Sequence, residues 1–455
     1  MPITSINPAT GQPIQSYTEH SPQQVQEKIT QTQEAWKAWR LTAMPSRTKK
    51  LLQLATVLRN RKQQLAELMA LEMGKPVKQG LAEVEKCARC CEYYAEHAVL
   101  HLQDQLIPTE ASKSYVSFQP LGIVLAIMPW NFPLWQVIRF LAPALAAGNA
   151  ALLKHASNVP GCAIALEDMI KEAGFPQYIF QTLLISSKEV NAVLEHPHVM
   201  AATLTGSSPA GKEVAQKAGS LLKKVVLELG GSDPYIILAD ADLEAAAEAC
   251  VNSRLINSGQ SCIAAKRFIV EAPIAEKFTQ LMLQKMQAKK MGDPLDETTD
   301  IGPQARTDLR DELHEQVQQS IARGAVCLLG GVIPPGNHAF YPPTLLNQVQ
   351  PGMPAYEEEL FGPVASIILA TDEADTIRIA NDTEFGLGAA IFTSNLAKGE
   401  QIARNELQSG SSFVNQLVQS DSRLPFGGIK TSGFGRELGM FGIHEFVNIK
   451  TISIR

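Results

Sequence analysis

Residues 201–231 read AATLTGSSPAGKEVAQKAGSLLKKVVLELGG, and this run decides the fold. An apolar stretch from Ala201 to Thr205 is followed by Gly206-Ser207-Ser208-Pro209-Ala210-Gly211, which opens a helix. A second apolar stretch, Lys224 to Glu228, closes on Leu229-Gly230-Gly231. Strand, helix and strand in that order make one βαβ unit. The segment Gly206 to Gly211 places backbone amides and a helix N-terminus where they can face a phosphate, although a plain strand-to-helix turn reads the same way. It is not GxGxxG, and Glu213 after Gly211-Lys212 removes the Gly-Lys-Ser/Thr close of a P-loop. A phosphate-transfer reading therefore falls.

The same rhythm extends on both sides. Upstream, Gly122 to Ile127, Ala150 to Leu153 and Ile179 to Ile185 read as strands, with helical segments expected to start near Pro143, Val159, Ser187 and Pro209. Downstream, Tyr235 to Leu238 and Arg267 to Val270 alternate with helical runs Ala241 to Ile256 and Ile274 to Lys290. Alternation of this kind predicts an α/β fold with parallel sheets covered by helices on both faces. Two amphipathic helices lead the chain: one capped by Ser21-Pro22, the other spanning Ser46 to Met73 with Leu51, Leu54, Leu58, Leu65 and Leu68 at helical spacing before Gly74. The join between domains is placed after Gly230-Gly231. Ser112 to Ser117 and the tail Asn448 to Ile454 read as strands outside the alternation, the kind that often pairs across a subunit interface. The alternative is that both lie on one sheet of the monomer.

Composition excludes several classes. The 455 residues are 45% hydrophobic and 19% charged, as in a globular protein of two or three domains. A net charge of -6 argues against a sequence-independent hold on nucleic acid. No run of 18 apolar residues suggests a membrane span, and the start MPITSINPATGQP lacks the basic and apolar regions of a signal peptide. The seven cysteines have no disulfide-framework spacing, which points to a reducing cytoplasm. Cys87, Cys90 and Cys91 lie in a helical context without a second CxxC or paired histidines, so no metal site is expected. No GxSxG or HExxH pattern supports a hydrolase or a zinc protease.

Two residues carry candidate chemistry. Cys262 stands in Asn257-Ser258-Gly259-Gln260-Ser261-Cys262-Ile263-Ala264, a polar, glycine-containing interruption of a helical run and a poor place for a core cysteine. A free thiol has a pKa of about 8.5, so a nucleophile needs a lowered value or a nearby base. Glu228 ends an apolar strand and is either a cap or partner for another group, or a general base.

In order along the chain, Pro129-Trp-Asn131-Phe-Pro133, Leu204-Thr-Gly206-Ser207, Glu228-Leu-Gly-Gly231, Asn257-x-Gly259-Gln260-x-Cys262, Glu358-Glu-Leu-Phe-Gly-Pro-Val364 and Pro425-Phe-Gly-Gly-x-Lys430-x-Ser-Gly-x-Gly-Arg-Glu437 resemble the successive signatures of the NAD(P)-dependent aldehyde dehydrogenases. Ile6-Asn-Pro-Ala-Thr-Gly11 and Glu72-Met-Gly-Lys-Pro76 fit the same pattern, and within the family the chain is most similar to short bacterial succinate-semialdehyde dehydrogenases. The resemblance implies an aldehyde dehydrogenase fold of three parts. They are a Rossmann-like cofactor domain (residues 1–101, 121–230 and 432–440), an α/β catalytic domain (231–431) and a small β oligomerisation element (102–120 and 441–455) of a homodimer or homotetramer.

It also implies roles. Cys262 attacks the aldehyde, Asn131 and the Cys262 backbone N–H hold the oxyanion, and Glu228 activates the water that hydrolyses the thioester. Ile127, Pro129, Trp130, Lys154, Ser157, Gly206, Ser207, Gly211, Leu229, Gly230, Glu359 and Phe361 fall at cofactor positions. Many relatives read Lys-Pro-x-Glu where this chain has Lys154-His155-Ala156-Ser157, and a serine can donate to either a ribose hydroxyl or a 2′-phosphate. Both NAD and NADP are therefore expected to bind. Arg139 and Ser420 match residues that grip a substrate carboxylate, with Trp135 and Gln136 along the tunnel; Arg139 could equally be a structural ion pair. Several such enzymes carry a second arginine where this chain has Ile256, so longer or less charged aldehydes, including glutarate semialdehyde, stay open as substrates. Intact Cys262, Glu228 and Asn131 argue against a non-enzymatic role, and Glu228 against a CoA-acylating one. Ala264 leaves no second thiol for a local disulfide switch.

Overall fold

The computed structural model describes residues 2–336 and 338–455. Five parallel strands form the heart of one sheet, ordered in space as Lys224–Glu228, Val199–Thr205, Ile123–Met128, Ala150–His155 and Phe180–Thr182. The chain begins at the central strand Ile123–Met128, runs to one edge, then returns to the other side of that strand, so a topological switch point lies between Ile123–Met128 and Val199–Thr205. Ligands of such sheets sit beyond the carboxyl ends of the strands at that point. A C-terminal strand, Gly433–Phe434, adds antiparallel to Lys224–Glu228, with Gly433 opposite Glu228.

After Gly231 the chain builds a seven-stranded sheet around Pro234–Ile237, Arg267–Glu271 and Val364–Ala370, parallel except for the edge strand Val326–Leu329. Its inner strands Pro234–Ile237, Arg267–Glu271, Val364–Ala370 and Gly388–Phe392 are almost wholly buried and mostly apolar, as expected for a parallel sheet with helices on both faces.

Four sequence expectations change. The helix expected over Ser46 to Met73 is two, Met44–Asn60 and Lys62–Met73, separated at Arg61 where the backbone leaves the helical region, with Gly74 closing the second at φ 76°. The helix expected to start near Pro143 begins at Trp135 and contains Pro143, because all thirteen of its side chains are buried and that packing outweighs one missing N–H. The strand expected over Ile179 to Ile185 shrinks to Phe180–Thr182. The two extra strands, Lys113–Pro120 and Val447–Ile454, pair with each other over eight residues inside one chain, together with Gln105–Leu106. By contrast the opening helix Pro22–Trp39 follows expectation, with Ser21 and Gln24 forming a capping box and proline in the first turn.

Candidate active site

Three strand ends converge at the switch point. Asn131 follows Ile123–Met128, Gly206 and Ser207 follow Val199–Thr205, and Glu228 ends its own strand. Ser207 is the N-cap of helix Ser208–Ser220, yet its hydroxyl makes no capping bond, so the hydroxyl and the first-turn amides remain available to an anion. A cavity of about 570 Å³ lies against them, bordered by Pro129, Trp130, Asn131, Gly206, Ser207, Leu229, Gly230, Glu359 and Phe361. Trp130 and Phe361 meet edge to face at 5.7 Å across it. Glu359 accepts from the Gly231 N–H at 3.1 Å and pairs with Lys266 at 3.2 Å, which fixes its carboxylate on the cavity wall.

The second wall comes from the loop after helix Leu243–Leu255. Asn257, Ser258 and Gly259 stand in succession at φ 53°, 55° and 78°, left-handed backbone that side chains disfavour. At Gly259 any Cβ would lie 2.2 Å from the Gly362 carbonyl, so only glycine fits. Buried polar groups hold this strained turn. Asn257 Nδ2 donates to the Asn131 carbonyl at 2.7 Å, Arg254 donates to the Gly259 carbonyl at 2.5 Å, Gly302 N–H donates to Ser258 Oγ and Ala305 N–H to Gln260 Oε1. The Asn131 side-chain amide donates to the Gln260 carbonyl at 3.2 Å, which brings it beside the turn that leads into Cys262.

Cys262 is half-buried, and among the described residues it is the one that borders both this cavity and a second one. Burial pushes its thiol up to about 11, against the pull of the Arg139 and Lys266 charges. Lys266 Nζ donates to the Ser261 and Cys262 carbonyls at 3.0 and 2.8 Å, tying the nucleophile loop to Glu359.

Glu228 borders neither cavity. It is 2% exposed, and neither carboxylate oxygen has a partner. Desolvation, then the nearby charge of Glu437, raises its pKa well above the usual carboxylate range, so in this position it holds its proton. Glu437 is itself ion-paired with Arg139 Nε.

The second cavity, about 230 Å³, is bordered by Trp135, Gln136, Arg139, Ile256, Cys262, Phe426 and Ser420. Arg139 is 2% exposed, paired with Glu437, donates to Thr205 Oγ1 at 3.1 Å and lies 5.1 Å from the Phe426 ring. Helix Trp135–Ala147, which carries it, is anchored by Glu83, whose Oε1 accepts from both the Leu134 and Trp135 N–H at 2.9 Å. Lys86, from helix Val77–His101, also reaches this cavity, donating to Ser420 Oγ at 2.7 Å with its ammonium 4.3 Å from the Trp135 ring.

Lys154 and Ser157 border a separate cavity of about 560 Å³ with Asn158 and Arg306. Two expected cofactor residues stand apart: Ile127 lies within its strand opposite Lys154 and Leu204, and Gly211 packs against Leu229, where a Cβ would come within 2.5 Å of Leu229 Cδ1. Lys86, Arg254 and Lys266 escaped sequence reasoning. Lys266 carried a faint signal, a lysine at the entry of a strand with an apolar centre, four residues after Cys262; Lys86 carried none, since a lysine on a mixed helix reads as solvated surface.

A family model described as the aldehyde dehydrogenase family matches residues 1–452. A protein of Synechocystis sp. named a probable succinate-semialdehyde dehydrogenase (NADP+) is 50% identical over 456 residues, covering 100% of both chains. The Escherichia coli protein named succinate semialdehyde dehydrogenase (NAD(P)+) is 46% identical, with 98% of this chain and 97% of that one covered. The crystal structure of a succinic semialdehyde dehydrogenase from Streptococcus pyogenes, in complex with NADP+, superposes with a TM-score of 0.97 at 35% identity, covering 99% of each chain. With its signatures gathered around one thiol at the switch point of such a sheet, this chain belongs to the aldehyde dehydrogenase family.

Proposed function

We propose that this protein oxidises succinate semialdehyde to succinate with reduction of NAD+ or NADP+. The observation that carries the reading is the position of Cys262 between two cavities of different character. One is the more polar and opens on the N-terminus of helix Ser208–Ser220, the other more nearly apolar with charged groups in its wall. The names of the relatives support the substrate, and the ungripped Ser207 hydroxyl and bordering helix amides fit a dinucleotide phosphate. Cys262 Sγ attacks the aldehyde carbon, and the Asn131 amide and the Cys262 N–H donate to the oxygen that becomes anionic. A bound nicotinamide supplies the hydride acceptor. The acyl group is then held on Cys262 as a thioester, and Glu228 takes a proton from the water that attacks it. For that step the Glu228 side chain turns from its buried place beside Glu437 towards the polar cavity, where hydration lowers its pKa and lets it act as a base.

Ser157 and Lys154 at the far cavity support binding of either cofactor, because Ser157 puts no carboxylate where a 2′-phosphate would sit. A homodimer or homotetramer built on the sheet of Lys113–Pro120 and Val447–Ile454 is part of the reading, supported by exposed Ile449 and Ile454 on its edge strand. No helix among the described residues is long and apolar enough to cross a membrane, and seven free cysteines support work in a reducing cytoplasm. The test is reduced-cofactor absorbance with succinate semialdehyde, glutarate semialdehyde and butanal, each with NAD+ and NADP+. Succinate semialdehyde is expected to give the highest kcat/KM; equal values for butanal would defeat the substrate assignment.

A further inference from the structure

Lys266 is 1% exposed and stands just before strand Arg267–Glu271, four residues after Cys262. Its ammonium folds back under the loop that carries the thiol. Nζ lies 3.0 Å from the Ser261 carbonyl, 2.8 Å from that of Cys262 and 3.3 Å from that of Ala264, with Glu359 Oε1 at 3.2 Å. Four acceptors around one nitrogen require the protonated form, because a neutral amine would turn its lone pair on one of them. Desolvation lowers the Lys266 pKa, and the charge of Glu359 opposes that fall. A buried cation is therefore fixed behind the nucleophile.

The Ser261 carbonyl belongs to the same planar trans peptide unit as the Cys262 N–H, so the two point in opposite directions. By drawing the carbonyl to itself, Lys266 turns that N–H away from the strand. Among the described residues the Cys262 N–H makes no hydrogen bond, although amides inside a protein ordinarily find one. The following peptide is fixed as well, because the Cys262 carbonyl packs on Gly231, where a Cβ would come within 2.9 Å of it. Resting on the thioester chemistry proposed above, we infer that Lys266 is the positioning residue of the oxyanion site: its grip on the Ser261 carbonyl aims and polarises the Cys262 N–H for the oxygen of the reacting aldehyde. Lys266 acts through the peptide and does not touch the substrate. A cation on the carbonyl end draws electron density from the amide nitrogen, which makes the N–H a stronger donor. Its pairing with Glu359 ties the aim of this amide to the wall of the polar cavity.

The test compares two reactions of Cys262 in the full-length enzyme. Addition to succinate semialdehyde builds an oxyanion, whereas alkylation by iodoacetamide displaces iodide and builds none. Lys266→Met removes the charge and keeps an unbranched stem. Alkylation of the cofactor-free enzyme at pH 8 should slow about threefold: removing a nearby cation leaves about tenfold less thiolate, and the greater nucleophilicity of a more basic thiolate regains about half of that on a logarithmic scale. The burst of reduced cofactor on mixing with NADP+ and aldehyde should slow by at least about tenfold more, a part of the 10²- to 10³-fold that one oxyanion donor supplies. The KM for the aldehyde should move far less, and Lys266→Arg, which keeps a charged donor, should recover much of the burst. Equal losses in the two reactions, or an unchanged burst, overturn the inference. If Lys266→Met does not fold, Lys266→Gln, a neutral donor, takes its place. It should show the same excess loss in the burst by a smaller factor, and equal losses count against the inference in the same way. Asn131→Ala is the reference, expected to slow the burst and spare alkylation. Should it spare the burst too, the proposed oxyanion site fails and the inference with it. A burst that is slowed in Asn131→Ala but intact in Lys266→Met defeats the inference alone.

Discussion

The two cavities that meet at Cys262 are built differently. The polar one is assembled from short contiguous segments at strand ends, Pro129 to Asn131, Gly206 to Ser207 and Leu229 to Gly230, and much of what they offer is backbone amide and a helix N-terminus. The apolar one takes single side chains from three distant elements: Lys86 from helix Val77–His101, Arg139 from helix Trp135–Ala147, and Ser420 from the segment before Phe426. The first depends on local geometry, the second on which charges find partners when the helices pack. Substitutions should therefore act on chemistry or cofactor at the first and on substrate choice at the second.

The largest effect expected is at Glu228. Glu228→Gln should leave a burst of reduced cofactor on mixing, since Cys262 still forms the thioester, while steady-state turnover falls about 10²- to 10⁴-fold, the usual weight of a general base. If the burst vanishes as completely as in Cys262→Ala, the deacylation role is lost. Next, Asn131→Ala should lower kcat about 10²- to 10³-fold with both succinate semialdehyde and butanal, as removal of one oxyanion donor does. Selectivity between the aldehydes is the discriminating readout here: a change in it would put Asn131 in the substrate cavity instead.

A smaller effect is expected at the adenosine end. Ser157→Glu should raise the KM for NADP+ by about ten- to hundredfold through like-charge repulsion and leave NAD+ within a few-fold. Parallel losses for both cofactors would remove Ser157 from the ribose site. The mildest test is one of pH. Because burial raises the Cys262 thiol to about 11, the reactive thiolate is the form gained as pH climbs. Alkylation of the cofactor-free enzyme by iodoacetamide should therefore accelerate about tenfold per pH unit from 7 to 9. A rate that levels off below pH 8 would show a thiolate stabilised beyond what Arg139 and Lys266 provide here.

Much of this was legible in the chain because local rules agreed with the global fold. The alternation through residues 122–228 marked the parallel sheet, and Gly259 and Gly206 marked turns whose backbone demands glycine or a free helix end. The helix Trp135–Ala147 was misplaced because Pro143 normally begins or ends a helix, and only full burial overrides that preference. Pairing of Lys113–Pro120 with Val447–Ile454 joins segments over 300 positions apart, a contact no local pattern encodes.

The same division runs through the site. Sequence named the candidate nucleophile, oxyanion amide and base and the phosphate-facing helix, because each stands in a short local motif, and the resemblance of those motifs to the aldehyde dehydrogenase signatures supplied the roles. Tertiary structure decided the rest. It withdrew Glu228 from both cavities and left it protonated, paired Arg139 with Glu437, and brought Lys86 to Ser420 from more than 330 positions away. The physical reason is that the availability of a charge depends on its desolvation and on the partners it meets, and both are fixed only when the elements pack.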